Sequence, residues 1–222
     1  MIKKISDLKI AEAFVQVNFV KGFKYVDKAG EIVNEFHIGD KEPTFTMDLN
    51  GLVINNPANE IAEVKVSSQM YWAHFIEPSS LELIIDSYLN KCEKINKILE
   101  IEKIKRIGLR LYFVKEFSKE SERDNAFKKL DLNSDIAFEA GLYAIKKESY
   151  GAKVRFRKAT KLDENKTPSL IIDIDMFKLS NEKDLIKNDN IKTILNDFKS
   201  ELRSSFWLGV INKIIESGEI KE

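Results

Sequence analysis

The sequence predicts an α+β fold, with an antiparallel or mixed sheet and long amphipathic helices packed on one face. In several stretches, apolar and polar residues alternate with the two-residue period of strands. Two long stretches carry the spacing of amphipathic helices, and the strands follow one another closely enough for hairpins. We expect a single domain over 1–222, whose layout also divides into two halves, 1–117 and 135–222, each with one long amphipathic helix.

The first strand is predicted over 11–20, where Val15 and Val17 alternate with Gln16 and leave one polar face. Residues 23–38 fit either a hairpin or a short helix, and the helix is preferred. Further strands are predicted over 44–54 with a kink at Asn50-Gly51, 61–75, 104–117, 135–147, 153–159 and 170–179.

The clearest helix is predicted over 81–99, because apolar residues recur there every three to four positions. Ser79 and Glu82 have the spacing of a capping box at its start. Cys92 lies on the apolar stripe, so we expect a buried structural thiol rather than a reactive one.

A second long helix is predicted over 190–216, and its apolar sector is unusually wide. A sector of that width is either deeply buried or covered by another subunit. Because aromatic residues are favoured in interface cores, we expect a homodimer contact here. The expected contact residues are Phe206, Trp207 and Val210.

The composition excludes several classes of protein. The 222 residues include 36 basic and 36 acidic side chains, so a nucleic-acid coat or a polybasic membrane binder is disfavoured. The single cysteine, Cys92, excludes an intramolecular disulfide. No uninterrupted apolar run reaches membrane-spanning length, and no secretory signal is recognised. We therefore expect a cytoplasmic protein with no membrane contact.

Residues 106–112 read Arg-Ile-Gly-Leu-Arg-Leu-Tyr. This segment resembles the R-I-G-L-R-Y strand of an uncharacterised, sporadically distributed bacterial family. In that family a helix precedes the strand, and a long amphipathic helix closes the chain. Here Leu111 interrupts the motif, and Leu8-Lys9-Ile10 stands in place of the family's Pro-Pro-Leu. The resemblance implies no catalytic residue, and the family's patchy distribution implies a link to mobile elements or antiviral defence.

One enzymatic hypothesis comes from Glu63-Val64-Lys65, which matches the E-x-K element of the PD-(D/E)xK nucleases. In those enzymes carboxylates hold Mg²⁺ and the lysine positions the attacking water. Asp48 would be the second carboxylate. The motif is common in chains rich in lysine and glutamate, so a strand with solvated polar residues is the simpler interpretation. No cofactor is expected otherwise.

Basic side chains on two predicted strands suggest a binding surface for RNA or a nucleotide. Guanidinium groups would contact phosphate, and a tyrosine would stack on a base. The alternative is that Asp173 and Asp175 neutralise these groups through cross-strand ion pairs. The residues concerned are Arg106, Arg110, Tyr112, Arg155 and Arg157.

Three hypotheses of function follow from these residues. The preferred one is a non-enzymatic protein that binds an unidentified protein partner and forms a homodimer. An RNA- or nucleotide-binding protein is the first alternative, and an Mg²⁺-dependent nuclease is the second. Motifs of zinc sites, P-loops and serine hydrolases do not occur in the sequence.

Overall fold

The structure is a computed structural model. It describes residues 8–20, 22–37, 42–55, 60–128, 139–146, 150–160, 167–181, 186–204, 207 and 209.

Nine strands and five α-helices make up the described chain, so the predicted α+β class is confirmed. The strands are hydrogen-bonded in the order β2-β3-β4-β5-β1-β6-β9-β8-β7. In the described part, no helix is long and apolar enough to cross a membrane. The strands are β1 Lys9–Phe19, β2 Thr44–Asp48, β3 Gly51–Asn55, β4 Glu63–Val66, β5 Met70–Ile76, β6 Ile104–Glu116, β7 Glu139–Lys146, β8 Gly151–Thr160 and β9 Pro168–Leu179. The α-helices are α1 Lys24–Asp27, α2 Ala29–Asn34, α3 Leu81–Ile98, α4 Glu120–Lys128 and α5 Ile191–Leu202.

Two compact units are assembled from separate stretches of the chain. Unit 1 comprises 1–11, 111–176 and 198–222, and unit 2 comprises 12–110 and 177–197. The boundaries of these units therefore differ from those of the two halves predicted from the sequence, 1–117 and 135–222.

In unit 2, β1 to β5 form an antiparallel array, and one side of β1, β3, β4 and β5 is buried. Val15, Val64 and Ala73 belong to this buried side, which alternates along each strand with half-exposed residues. Helix α3 is tied to β5 by a 2.6 Å hydrogen bond between the hydroxyls of Tyr71 and Tyr88. Burial holds the pKa of both hydroxyls above the ordinary tyrosine value.

In unit 1, β7 and β8 form an antiparallel hairpin, as the sequence predicts. The Nζ of Lys158 lies 4.7 Å from the ring centre of Phe127 and 3.3 Å from a carboxylate oxygen of Asp124, which attaches α4 to β8. The Tyr150 hydroxyl donates a 2.9 Å hydrogen bond to Glu201. The two contacts of Lys158 join α4 to this part of the sheet, and the hydrogen bond of Tyr150 joins α5 to it.

Several helix predictions are confirmed. Residues 23–38 contain α1 and α2, and α3 covers 81–98. The thiol of Cys92 is fully buried, and this burial raises its pKa above the ordinary thiol value. The N-terminal cap of α3 is Ser80 rather than Ser79, because the Ser80 side chain accepts the Leu83 N–H at 3.1 Å.

Two long strand predictions are wrong. The stretch 44–54 is a hairpin, because Asp48 pairs with Gly51 and the chain reverses at Leu49-Asn50 instead of kinking. The stretch 61–75 is also a hairpin, made of β4 and β5. The final helix, predicted over 190–216, is interrupted: α5 ends at Leu202 and a turn follows at 203–204.

Candidate functional site

Asp48, the carboxylate proposed for the nuclease, caps the β2–β3 turn. Its Oδ1 accepts the backbone N–H groups of Asn50 at 2.7 Å and Gly51 at 3.1 Å. The hydrogen bond from Asn50 is the main reason that the pKa of Asp48 lies below its usual value, with a smaller contribution from Lys65. The carboxylate therefore stabilises the β2–β3 turn, a structural role that needs no metal ion.

Glu63 and Lys65 lie on β4, which is antiparallel to both of its neighbours. Asp48 pairs with Gly51 at one end of β3, whereas Glu63 pairs with Asn55 at the other end, so the two carboxylates proposed to hold Mg²⁺ do not converge. No three His, Cys, Asp or Glu side chains are grouped to hold a metal within the described ranges.

Glu63 and Lys65 instead belong to a surface that we call the open face: the half-exposed side of β1, β3, β4 and β5 in unit 2. The strand registers show which residues belong to the open face, because directly paired residues point to the same side of a sheet. One row across the sheet joins Gln16, Trp72, Lys65 and Val53, and the next joins Phe14, His74, Glu63 and Asn55.

Three rings meet at the centre of the open face, and we call them the ring cluster: Phe14, Trp72 and His74. Phe14 and His74 are stacked, with centroids 4.2 Å apart and planes 6° apart. Trp72 meets Phe14 edge-on at 5.7 Å and His74 edge-on at 6.2 Å. All three side chains are half-buried rather than part of the core.

Polar groups surround the ring cluster. The Nε2 of His74 lies 3.1 Å from a carboxylate oxygen of Glu12. The amide of Gln16 donates to Asn18 at 2.8 Å and contacts the sulfur of Met70 at 3.4 Å. An aromatic centre with a polar rim is the usual anatomy of a binding surface.

Sequence reasoning missed this cluster. Phe14 and Trp72 lie at polar-face positions of their strands, but they are 58 residues apart and only the β1–β5 register brings them together. The sequence does contain one signal. Phe14 lies two residues from Gln16 and therefore on the polar side of the strand, opposite to Val15.

The predicted basic residues fall into two groups. Arg106 and Arg110 are in unit 2, and the Arg106 guanidinium lies 5.2 Å from the ring centre of Phe177. A Cβ added at Gly108 would lie 2.5 Å from an Arg106 nitrogen, so the guanidinium covers Gly108. Arg110 also makes an interaction within the fold.

The other basic positions lie in unit 1. Arg155 and Arg157 are on β8, and Asp173 and Asp175 are on the neighbouring β9. Asp173 is buried, and both carboxylates make interactions within the fold, as do Arg157 and Tyr112. Arg157 and Tyr112 are therefore engaged in the folded chain, and a phosphate ligand would have to compete with their present contacts.

The predicted dimer contacts on the last helix are only partly within the described residues. Phe206 and Val210 lie outside them. The Trp207 side chain is fully buried, with 0% of its surface exposed. It therefore offers no accessible surface to a second copy.

Unit 2 also contains a cavity of about 310 Å³ beside the C-terminal end of α3. Phe19, Tyr25 and Leu99 give it apolar walls, and an ion pair between Lys24 and Glu100 lies at its rim. The rim carries charges of both signs, because Glu102 and Lys103 line it too.

Comparison with models of known protein families and with curated proteins finds no match for this chain. The resemblance of residues 106–112 to the R-I-G-L-R-Y strand therefore stays a prediction.

Proposed function

We propose that this protein is a non-enzymatic binding protein and that a protein partner docks on the open face. The observation that supports this most is the ring cluster, in which three rings from two paired strands meet on the half-exposed side of the sheet. Aromatic side chains are enriched at the centres of protein interfaces, where their burial on binding supplies much of the affinity.

The charges around the ring cluster indicate the chemistry of the partner. Glu63 pairs in register with His74, and Glu12 contacts the same histidine. Lys65, in register with Trp72, is the one lysine or arginine in the two rows, so carboxylates predominate beside the histidine. A basic side chain of the partner would meet these two carboxylates and would also lie favourably over an aromatic ring. We therefore expect the partner to present apolar side chains together with arginine or lysine.

The same features make nucleic acid the weaker candidate. A base stacks on a free ring face, whereas Phe14 and His74 already cover one face of each other at 4.2 Å. Glu12 and Glu63 would also repel a phosphate backbone.

The cellular setting is a second part of the proposal. A lone cysteine that is buried and reduced suits the cytoplasm, where thiols are kept reduced. The resemblance carried by residues 106–112 suggests a bacterial mobile-element or antiviral defence system as the pathway.

A peptide-display selection tests the proposal, because a random library samples many candidate partner sequences at once. Immobilised full-length protein is challenged with the library, and enriched peptides are measured by titration calorimetry. We expect aromatic or aliphatic residues together with arginine or lysine in the selected peptides. Trp72→Ala and Glu63→Lys should each weaken binding at least about tenfold, the scale of an interface hot spot.

Phe23→Ala is the matched control, because Phe23 is a large aromatic residue that is 59% exposed outside the open face. Circular dichroism verifies that each variant is folded. Peptides that bind all four proteins equally would overturn the proposal. Binding of single-stranded RNA that is lost in Arg110→Ala would replace it with the RNA-binding alternative.

A further inference from the structure

Strand β2 is the first strand in the order of the sheet, and β3 is its one neighbour among the described strands. All five of its residues, Thr44–Asp48, are exposed. Two of them are large and apolar: Phe45 is 55% exposed and Met47 is 41% exposed. Leu49, directly after the strand, is 100% exposed.

These apolar side chains are on the core side of the sheet. Phe45 pairs in register with Ile54, and Met47 pairs with Leu52. Both of those β3 residues are buried in the core. The apolar side of the sheet therefore continues to its edge, where β2 leaves it uncovered.

Strand β2 is short and Pro43 directly precedes it, but its five residues carry few of the features that usually prevent pairing between sheets. Proteins protect edge strands with lysine, proline, bulges or charges that point inward. Residues 44–48 contain no lysine, arginine or proline, and their register with β3 is unbroken. Asp48 is the one charged residue, and its carboxylate is held in the turn. By contrast, β7, the last strand in the sheet order, has a register shift between Ala140 and Tyr143.

The sequence of β2 is complementary to itself in an antiparallel register centred on Thr46. In that register each Phe45 lies opposite Met47 of a second copy, on the apolar side, and Thr46 lies opposite Thr46. Thr44 lies opposite Asp48, so no like charges meet. Aromatic–methionine contacts and threonine pairs are both favourable across antiparallel strands.

We infer that the partner of this edge is a second copy of the same chain, joined through β2 about a two-fold axis at Thr46. The sheet then continues from one copy into the next, and Phe45 and Met47 become covered. This homodimer contact is on a different surface from the one predicted on the last helix. It uses a different surface from the ring cluster, so it does not depend on the proposed function.

Sedimentation velocity of the full chain tests this inference. The wild type should show a concentration-dependent species of twice 25.6 kDa. Thr46→Lys and Thr46→Glu, tested singly, each place like charges at the two-fold axis and should weaken the dimer about tenfold or more. An equimolar mixture of these two variants should recover the dimer, because lysine then faces glutamate.

Met47→Lys should also abolish dimerisation, since it puts a charge on the apolar side. Ile76→Lys is the matched control, because Ile76 is a strand residue that is 59% exposed outside β2, and it should dimerise normally. A wild type that stays monomeric up to about 100 µM would overturn the inference. So would a dimer that resists either Thr46→Lys or Met47→Lys, because its contact or its register would differ.

Discussion

Arg106, Gly108 and Phe177 form a small stack on β6 and β9. The guanidinium folds back over Gly108, where a Cβ would meet it at 2.5 Å, and continues over the Phe177 ring at 5.2 Å. The spacing of Arg106 and Gly108 has a physical reason: residues two apart share one side of a strand, and glycine leaves room for the guanidinium. This contact accounts for the first half of the Arg-Ile-Gly-Leu-Arg segment.

Gly108→Ala is expected to displace the Arg106 side chain rather than the strand, because the obstructed group is the end of a flexible side chain. The loss of the cation–ring contact should cost about 0.5–1 kcal/mol of unfolding free energy, measured by urea denaturation. Arg106→Ala should cost a similar amount.

The double variant, which combines Arg106→Ala and Gly108→Ala, tests whether the cost of Gly108→Ala comes from displacing the Arg106 side chain. With Arg106 already truncated, Gly108→Ala should cost nothing or stabilise slightly, since alanine is less disordered than glycine in the unfolded chain. Two losses that simply add would mean that Gly108 is needed for another reason.

At the scale of elements, helix α3 ends with an unusual residue. The Ile101 N–H reaches the Asn96 carbonyl at 2.9 Å and the Glu100 N–H reaches that of Lys97 at 3.1 Å, the paired bonds of a Schellman motif. Glu100 therefore occupies the left-handed position, with φ of 51°, that glycine normally fills. It also forms the ion pair with Lys24 at the rim of the cavity.

Glu100→Gly should raise the melting temperature by about 2–4 °C, because glycine adopts this conformation without the cost that a side chain carries. Glu100→Gln is the control: it removes the charge but keeps the strained backbone, so its melting temperature should stay level or fall. Differential scanning calorimetry measures both. A fall in the glycine variant would show that the Lys24 contact outweighs the backbone strain.

Helices and strands can be predicted from this sequence where the hydrophobic periodicity continues over many residues. They cannot be predicted where the chain reverses in a short turn. The long apolar stripe of α3 and the alternation of β6 are recoverable from the sequence. Asn50-Gly51 is a strong hairpin signal, but both flanking strands keep alternating across it, so the pattern also fits one kinked strand. The second reversal, at 67–69, contains only serine and glutamine, so neither glycine nor proline marks it.

The candidate site is less predictable than the fold. Glu63 and Lys65 stand out as a local motif, whereas the feature that distinguishes their surface is the ring cluster on neighbouring strands. A local pattern identifies residues close in sequence, but the ring cluster depends on the register between β1 and β5. Register is fixed by the buried side of the sheet and by the turns, and the turn before β5 carries no recognisable signal.

For the molecule as a whole, the balance of 36 basic and 36 acidic residues leads us to expect little affinity for nucleic acids. Non-specific affinity for nucleic acid comes from released counterions, and it requires a cluster of cations that phosphate can reach. Arg106, Arg110 and Arg157 already make contacts within the fold. A phosphate would have to replace those contacts.

We therefore expect no measurable binding of single-stranded RNA, double-stranded DNA or a mononucleotide at about 150 mM salt, measured by fluorescence anisotropy. Lowering the salt to about 20 mM should produce only weak binding that Arg110→Ala and Arg155→Ala leave unchanged, because general attraction does not depend on one side chain. Tight binding at the higher salt that either substitution abolishes would contradict this expectation. It would also mean that a phosphate can displace the contact that Arg110 makes within the fold, and the basic strands would then replace the ring cluster as the binding surface.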